Sequence, residues 1–541
     1  MAARDGRCSS WTATGVAAAA AFVFFFRPIH DDDVWLHFAA GRWILEHGAA
    51  PSADPFSCTA PGVRWVDHEW LAQVAFECLR RLGGLPLFRA ALAACAGLAF
   101  ATAMRTASRL GAGAAGALVA SLAALALDWH LARLRPHLLT LLLTALLVDR
   151  FVARDRPLRR RDLLGFGVLV VIWANVHAAA VVAPALLGLA ALGAWAGAQR
   201  DHARRLAVLT AAAAVLLLVN PYGWQVYGYA FETQELADLI PEWKPLASLV
   251  LDPVERARRT PGSDFAFQLV AVSAVAALVV ALAAWTLVAA RRAARAGRGA
   301  PSDPALAIPS VAVAILPFTA NRHDLFLVVP LVFVAAALAS LARETPSLAP
   351  VRRAIGWIAA AVVVAQLARD TAYRVPKYRE ATGSVFPDVW PPHEPFAAVD
   401  FLARNGIAGN CLNRPPWGGY LLYRTFPDVR VAFDGRITTL GKDAYLDVRD
   451  FLLGQRCAEI AERYAIDFLL APPWLFGRGT PRDAPAYVAP DLSRDWVVVY
   501  EDADFEREGS ATVALRRASP LFERNLDRAR RGRAGDERPP R

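Results

Sequence analysis

Apolar and polar positions along this chain are blocked rather than interspersed. Residues 15–26, 85–104, 111–127, 206–219, 265–290 and 325–342 are nearly free of charge. Uncharged apolar stretches of this length read as membrane-spanning helices. With the shorter stretches added, the pattern predicts about eleven spans, near 12–27, 85–104, 111–129, 136–152, 163–177, 181–198, 206–220, 264–290, 304–319, 325–342 and 353–369.

Between the spans the pattern changes. Residues 28–84 form a long loop rich in Trp, His and acids, and apolar residues at helical spacing over 67–82 predict an interfacial amphipathic helix. A second long loop covers 221–263. Four prolines among Tyr and Trp make 370–394 an extended connector. From 395 to 518 helical and alternating segments follow one another. They predict a helix over 396–405, strands near 410–412, 429–433, 468–471, 496–500 and 512–515, and helical segments over 442–464. The Arg/Asp-rich end has no periodicity and reads as disordered. The organisation expected is a transmembrane domain over 1–369 that includes the loop 28–84, a linker over 370–394, an α/β domain over 395–518 and a tail over 519–541.

Composition agrees: 56% of residues are apolar and 20% charged, and the mean hydropathy is +0.31. The net charge of +10 could suggest nucleic acid, but its location decides otherwise. With a cytoplasmic N-terminus the inner loops carry 20 Lys/Arg in 61 residues, against 11 in 115 for the outer loops. That bias orients the protein. An odd number of spans then leaves the α/β domain outside. The first 27 residues could also be a cleaved signal peptide, but no small-x-small site precedes Arg27, so a retained first span is expected. Cys58, Cys78, Cys411 and Cys457 fall where disulfides are permitted, yet read as free buried thiols.

The remaining polar residues gather at one end of the spans. Asp31, Asp32 and Asp33 follow the first span; Asp128 and His130 close the third, and Arg133, Arg135 and His137 open the fourth. Trp173, Asn175 and His177 close the fifth, Asn220 and Tyr222 the seventh, and Asn321, Arg322, His323 and Asp324 form the turn after the ninth. Ionisable groups near membrane depth are costly and mark function or a paired structural role. This set predicts one polar cavity at the outer membrane interface. Carboxylates there can act as a base or hold a divalent cation, and Arg and His can clamp a phosphate. A lipid-phosphate-linked sugar has the matching form, apolar at one end and polar at the other.

The segments Asp31-Asp32-Asp33-Val34-Trp35-Leu36-His37, Gly41-Arg42-Trp43-Ile44-Leu45-Glu46-His47-Gly48 and Asp54-Pro55-Phe56-Ser57 resemble the first outer loop of bacterial GT-C superfamily glycosyltransferases. The likeness is to the group similar to protein mannosyltransferases and rhizobial lipopolysaccharide-core sugar transferases. Trp65-Val66-Asp67-His68-Glu69-Trp70-Leu71, Arg135-Pro136-His137, Trp173-Ala174-Asn175-Val176-His177, Asn220-Pro221-Tyr222-Gly223, Trp417-Gly418-Gly419-Tyr420 and Asp434-Gly435-Arg436 are similar to the same group. The resemblance implies a GT-C-like fold and inverting transfer from a polyprenyl-phosphate sugar to an envelope glycan, lipid or protein acceptor. It implies that Asp31 and Asp33 match the family's modified acidic element, as base or as ligands of Mg or Mn.

The expected site therefore has Asp31, Asp33, His68 and Glu69 as catalytic residues. Arg135, His137, His177, Arg322 and His323 would bind donor phosphate or lipid, and Trp35, His37, Trp70, Asp128 and Asn175 would face the acceptor or sugar. Plainer roles compete at several positions. Asn175 and His177 read as hydrogen-bonding between helices, Asp434 and Arg436 as an internal salt bridge, and the tryptophans mostly as interfacial belt residues. Two other classes share the pattern: a transporter or flippase, and a non-catalytic assembly protein of the envelope.

Overall fold

The structure is a computed structural model. It describes residues 2–127, 133–232, 243–251, 265–320, 323, 326–345, 347, 349–384, 387–389, 394–477, 492, 494–503 and 509–536. The chain forms two compact units, residues 1–27 with 83–377 and residues 28–82 with 378–541.

The first unit is helical. Among the described residues, three helices are long and apolar enough to cross a membrane: Trp70–Ala112, Ala178–Ala196 and Leu269–Arg295. Shorter apolar helices cover Trp11–Phe25 and Pro304–Phe318. Every stretch read as a span carries helix in its described part. Trp70–Ala107 is interrupted at Gly83 and Gly84, whose backbones are non-helical (φ −151° and +67°), and the boundary between the units falls at that break. Alanine carries much of the helix packing, and the closest approaches are made by glycine. At Gly193 and Gly197 a Cβ would collide with Pro304.

The second unit is built on a five-stranded sheet in the order β2-β1-β3-β5-β4. The strands are β1 (Gly409–Asn413), β2 (Val429–Val431), β3 (Phe468–Ala471), β4 (Trp496–Glu501) and β5 (Thr512–Arg516), all close to their predicted places. β1 is parallel to β2 and β3, and β5 is antiparallel to β3 and β4. Helix Gly418–Thr425 makes the crossover from β1 to β2, as parallel strands require. β3 is buried at all four positions, which is why it reads as a continuous apolar run rather than an alternation.

The loop 28–82 belongs to this unit. Ser57 pairs in parallel with Val431 outside β2, the Cys58 amide donates to the Val431 carbonyl at 2.9 Å, and the Thr59 hydroxyl donates to Ala432 at 2.7 Å. Its predicted amphipathic helix begins at Trp70.

Two segments differ from expectation. The helix Ala349–Thr382 runs through Pro376 into the region read as an extended connector, because the other three prolines of 370–394 all lie beyond Thr382. The end read as a disordered tail carries the helix Phe522–Asp536. Asn525 anchors it: its side-chain amide donates to the Ala408 carbonyl at 2.9 Å and its oxygen accepts from the Ala408 amide at 3.3 Å. Two backbone bonds through one buried side chain are invisible to periodicity. Cys58, Cys78, Cys411 and Cys457 are free thiols, as expected, and burial pushes the Cys58 thiol up to about 12.

Candidate functional site

The acidic run sits where the loop meets the α/β fold of its own unit. Asp31 is buried, and its Oδ1 accepts the Asp33 amide at 3.2 Å, an Asx turn that starts the helix Asp33–His47. Asp33 lies in the first turn, where a carboxylate is favoured by the helix dipole. Positions 33, 37 and 41 are one turn apart and share a face. Each meets a different neighbour. A Cβ on Gly435 would strike the Asp33 carboxylate, His37 Nδ1 is 3.8 Å from Glu69 Oε2, and a Cβ on Gly41 would strike the Gln73 carbonyl.

The glycines of the Trp417-Gly418-Gly419-Tyr420 and Asp434-Gly435-Arg436 motifs thus have a physical reason. Gly419 admits the Asp32 carbonyl and the Leu36 amide, and Gly418 admits the Phe433 carbonyl. The two substitutions Gly418→Ala and Gly435→Ala separate by mechanism. Gly418→Ala forces backbone apart and is expected to cost about 1–3 kcal/mol of stability, read by thermal unfolding. Gly435→Ala meets only the end of a side chain, so it turns Asp33 aside with little loss of stability. Thermal unfolding thus separates the two, with a small change expected for Gly435→Ala against a large one for Gly418→Ala.

Trp35 is buried, edge-on to Phe38, Phe396 and Tyr420 and tilted against Tyr423. An aromatic so enclosed builds the wall of the site rather than offering a free face to a sugar. Trp70 opens its helix and is half-buried.

Glu69 stands between two imidazoles, with His68 Nε2 at 3.8 Å from Oε1 and His37 on its other oxygen. The sequence reading named all three residues; the structure brings them together. Two carboxyls that it did not assign to the site are also here. Glu394 is buried against the acidic run, in a pocket lined by His30, Asp31, Asp32 and Trp35. Burial, then the negative charges of Asp32, Asp31 and Asp33, hold it well above the usual carboxylate range. The bridge between Ile29 and Val389 brings its segment to Asp31, a pairing with no local sequence signal.

Asp67 is the second. It is 2% exposed, and Oδ1 accepts from Gln73 Nε2 at 2.8 Å. Burial pushes its carboxyl up to about 7, against the opposing pull of the Glu69 amide and Arg436. A raised carboxyl pKa makes the ionised form a folded-state penalty. The stability present below the ordinary carboxyl range is therefore lost progressively as the pH rises to about 7, and stays lost above it. Asp67→Asn keeps the acceptor oxygen and removes the charge. It is expected to raise the melting temperature more at pH 8 than at pH 5, and an equal change at both would contradict the shift.

Arg436 forms a closed ion group. Nη2 and Nε donate to the two oxygens of Asp434 at 2.6 and 2.9 Å, and Nη1 donates to Asp54 at 2.7 Å. Its guanidinium lies over Trp65 at 4.5 Å and Phe56 at 5.1 Å. This is the internal salt bridge expected for Asp434 and Arg436, with Asp54 as an added partner.

The other expected site residues lie in the first unit or outside the described residues. His177 ends the helix Arg160–Val176, and its Nδ1 is 3.1 Å from Thr140 Oγ1, which also accepts from Trp173 Nε1 at 2.9 Å. Asn175 donates to the Val219 carbonyl at 2.8 Å. The first contact reaches the helix His137–Leu147 and the second the segment after the helix Arg200–Leu216, contacts of the kind the plainer reading expected. His323 Nδ1 is 3.2 Å from Thr319 Oγ1, and Arg135 and His137 sit half-buried at the start of His137–Leu147. Asp128 and Arg322 lie outside the described residues. Among the described residues no three His, Cys, Asp or Glu side chains are placed to share one metal ion.

No protein-family model matches the sequence, and no curated protein matches it. Solved structures do. The oligosaccharyltransferase of Archaeoglobus fulgidus in its apo form matches with a TM-score of 0.53 and 14% identity, over 86% of this chain and 69% of that one. The same organism's oligosaccharyltransferase AglB in complex with an inhibitory peptide and a dolichol-phosphate matches at 0.54 and 13%, over 86% and 70%. Its complex with Zn and sulfate matches at 0.52 and 12%, over 85% and 69%. This chain therefore shares the fold of the archaeal oligosaccharyltransferase.

Proposed function

We propose that this protein is an integral-membrane inverting glycosyltransferase of the GT-C type. In this reading about eleven spans anchor it in a bacterial inner membrane, with the N-terminus cytoplasmic and the α/β domain outside. A sugar passes from a polyprenyl-phosphate carrier to a hydroxyl of an envelope glycan, lipid or protein. The observation that carries the reading is the placement of Asp33: on the first outer helix, against Gly435, one turn from His37. The shared fold supports it, since the archaeal relative was solved with a dolichol-phosphate and a peptide.

Asp33 takes the proton from the acceptor hydroxyl as the oxygen attacks the anomeric carbon, and the carbon–phosphate oxygen bond breaks with its electron pair on the lipid phosphate. Asp31 has one oxygen committed to the Asp33 amide, so it shapes the turn and Asp33 is the better base. In this reading Arg135, His137, His177, Arg322 and His323 take the donor-phosphate role that their place at the span ends in the sequence suggests. A cationic partner stabilises the charge that develops on the leaving group.

The test is to incubate the purified protein in sealed lipid vesicles with a panel of labelled polyprenyl-phosphate sugars and envelope extracts as acceptors. Release of lipid phosphate coupled to a labelled acceptor supports the reading. Movement of intact lipid-linked sugar across the bilayer without release would place it among flippases instead.

A further inference from the structure

Asp67 is buried at the entry to the helix that carries Glu69, and nothing in the proposed chemistry uses it. Its Oδ1 accepts from Gln73 Nε2 at 2.8 Å, and the Glu69 amide also donates to its carboxyl. Oδ2 is buried with no hydrogen-bond partner. Around this carboxyl the backbone closes tightly: the Gln73 amide donates to the Glu69 carbonyl at 3.0 Å and the Trp70 amide to the Asp67 carbonyl at 3.3 Å. His68 and Glu69 are thereby trapped between two bonds made by one side chain. Glu69 is left with an imidazole at 3.8 Å from each oxygen.

An ionised carboxylate with an orphan oxygen in a buried turn costs stability, and an amide in the same place would be spared the part of that cost that comes from the charge. Such a feature persists where the charge serves another group. We infer that Asp67 is a positioning residue, which fixes Glu69 between His37 and His68 and so sets how readily the two imidazoles hold a proton. The inference rests on the glycosyltransferase reading only for the consequence, that this imidazole pair faces the acceptor.

The groups that reach the cluster bear on its charge as follows. Arg436, from the turn after β2, opposes the negative charge of Asp67 but is itself matched by Asp434 and Asp54. Gln73 is neutral, and Glu69 is shared by the two histidines. Asp33, one turn from His37, adds a second negative charge, and Asp67, once ionised, is the buried one next to His68. Its removal should lower the proton affinity of both imidazoles.

The experiment uses the full chain with Asp67→Asn and Asp67→Ala. Imidazole titrations of His37 and His68 are followed by NMR on histidine-labelled protein, assigned with His37→Gln and His68→Gln, alongside the pH profile of sugar transfer. In Asp67→Asn both titrations are expected to move down by about half a unit, and the acid limb of the profile to move with them. The rate at the optimum should stay within about threefold. Asp67→Ala, which also frees the turn, should lower kcat by about tenfold or more with little change in donor KM. Unmoved titrations and a superimposed profile in Asp67→Asn would overturn the inference. If wild-type protein transfers no sugar, the functional reading fails while the titrations still decide the role of Asp67. Should the alanine variant not fold, the asparagine variant alone carries the test.

Discussion

Asp33→Asn yields a folded protein whose sugar transfer is lower by roughly 10²–10⁴-fold, the span expected for loss of a general base. The substitution is nearly isosteric, and its structural cost is bounded. Asp33 lies in the first turn of its helix, so losing the charge forfeits about 0.3–1 kcal/mol of dipole interaction. Asn retains a polar oxygen towards Gly435. The two effects therefore differ by orders of magnitude, and a melt and a transfer assay on one preparation separate them. Asp31→Asn provides the comparison. Its Oδ1 already accepts the Asp33 amide, and asparagine can accept the same bond, so its loss should be at least tenfold smaller. Equal losses at 31 and 33 would mean that the acidic run acts as a unit. Full activity in Asp33→Asn would remove Asp33 as the base.

What could be read from the sequence was whatever has a local pattern. The apolar blocks are uniform runs, the amphipathic helix after Asp67 has the helical period, and the strands alternate or, like β3, run apolar throughout; each falls in a helix or strand near its expected place. The site was legible in part for a different reason: charged residues beside apolar blocks are conspicuous. That argument singled out Asp33, His37, His68 and Glu69 as candidates. It could not tell that His37 and His68 share one carboxylate, because that pairing depends on how the helix Asp33–His47 lies against the helix beginning at Trp70. The approach of those helices is set by Gly41 against Gln73, a contact without a period.

Long-range partners were the part that stayed hidden. Glu394 lies 363 residues beyond Asp31 and reads in sequence as one more polar residue among prolines. Asp54 lies 382 residues from Arg436 and looks like a turn residue. The same contacts place the loop 28–82 in one unit with the α/β fold, where the apolar pattern alone joined it to the spans. Trp35 shows the converse error. An exposed-looking tryptophan in a polar loop suggested a sugar platform, but four aromatic neighbours enclose it.

Arg436→Ala should be the most destabilising single change in the second unit, at about 3–5 kcal/mol, the usual cost of removing one partner from a buried ion group. The cost comes from what is left behind. Arg436 donates a forked pair of bonds to Asp434 and a third to Asp54, and both carboxylates are fully buried. Asp54 keeps the amides of Phe56 and Ser57 and the Ser57 hydroxyl, which spread its charge without neutralising it. Arg436→Lys keeps the charge but not the planar fork, nor the flat contact over Trp65 and Phe56, so it should recover only part of the loss. Adding Asp54→Asn to Arg436→Ala removes one stranded charge, and the double variant should be less destabilised than the sum of the singles. Chemical unfolding of the full chain, followed by tryptophan emission to which Trp65 contributes, compares wild type with Arg436→Ala, Arg436→Lys, Asp54→Asn and the double variant. A loss below about 1 kcal/mol in Arg436→Ala would place the ion group in the class of solvated surface pairs. It would also mean that the loop is held to β2 by the Ser57–Val431 bridge and its flanking backbone bonds instead.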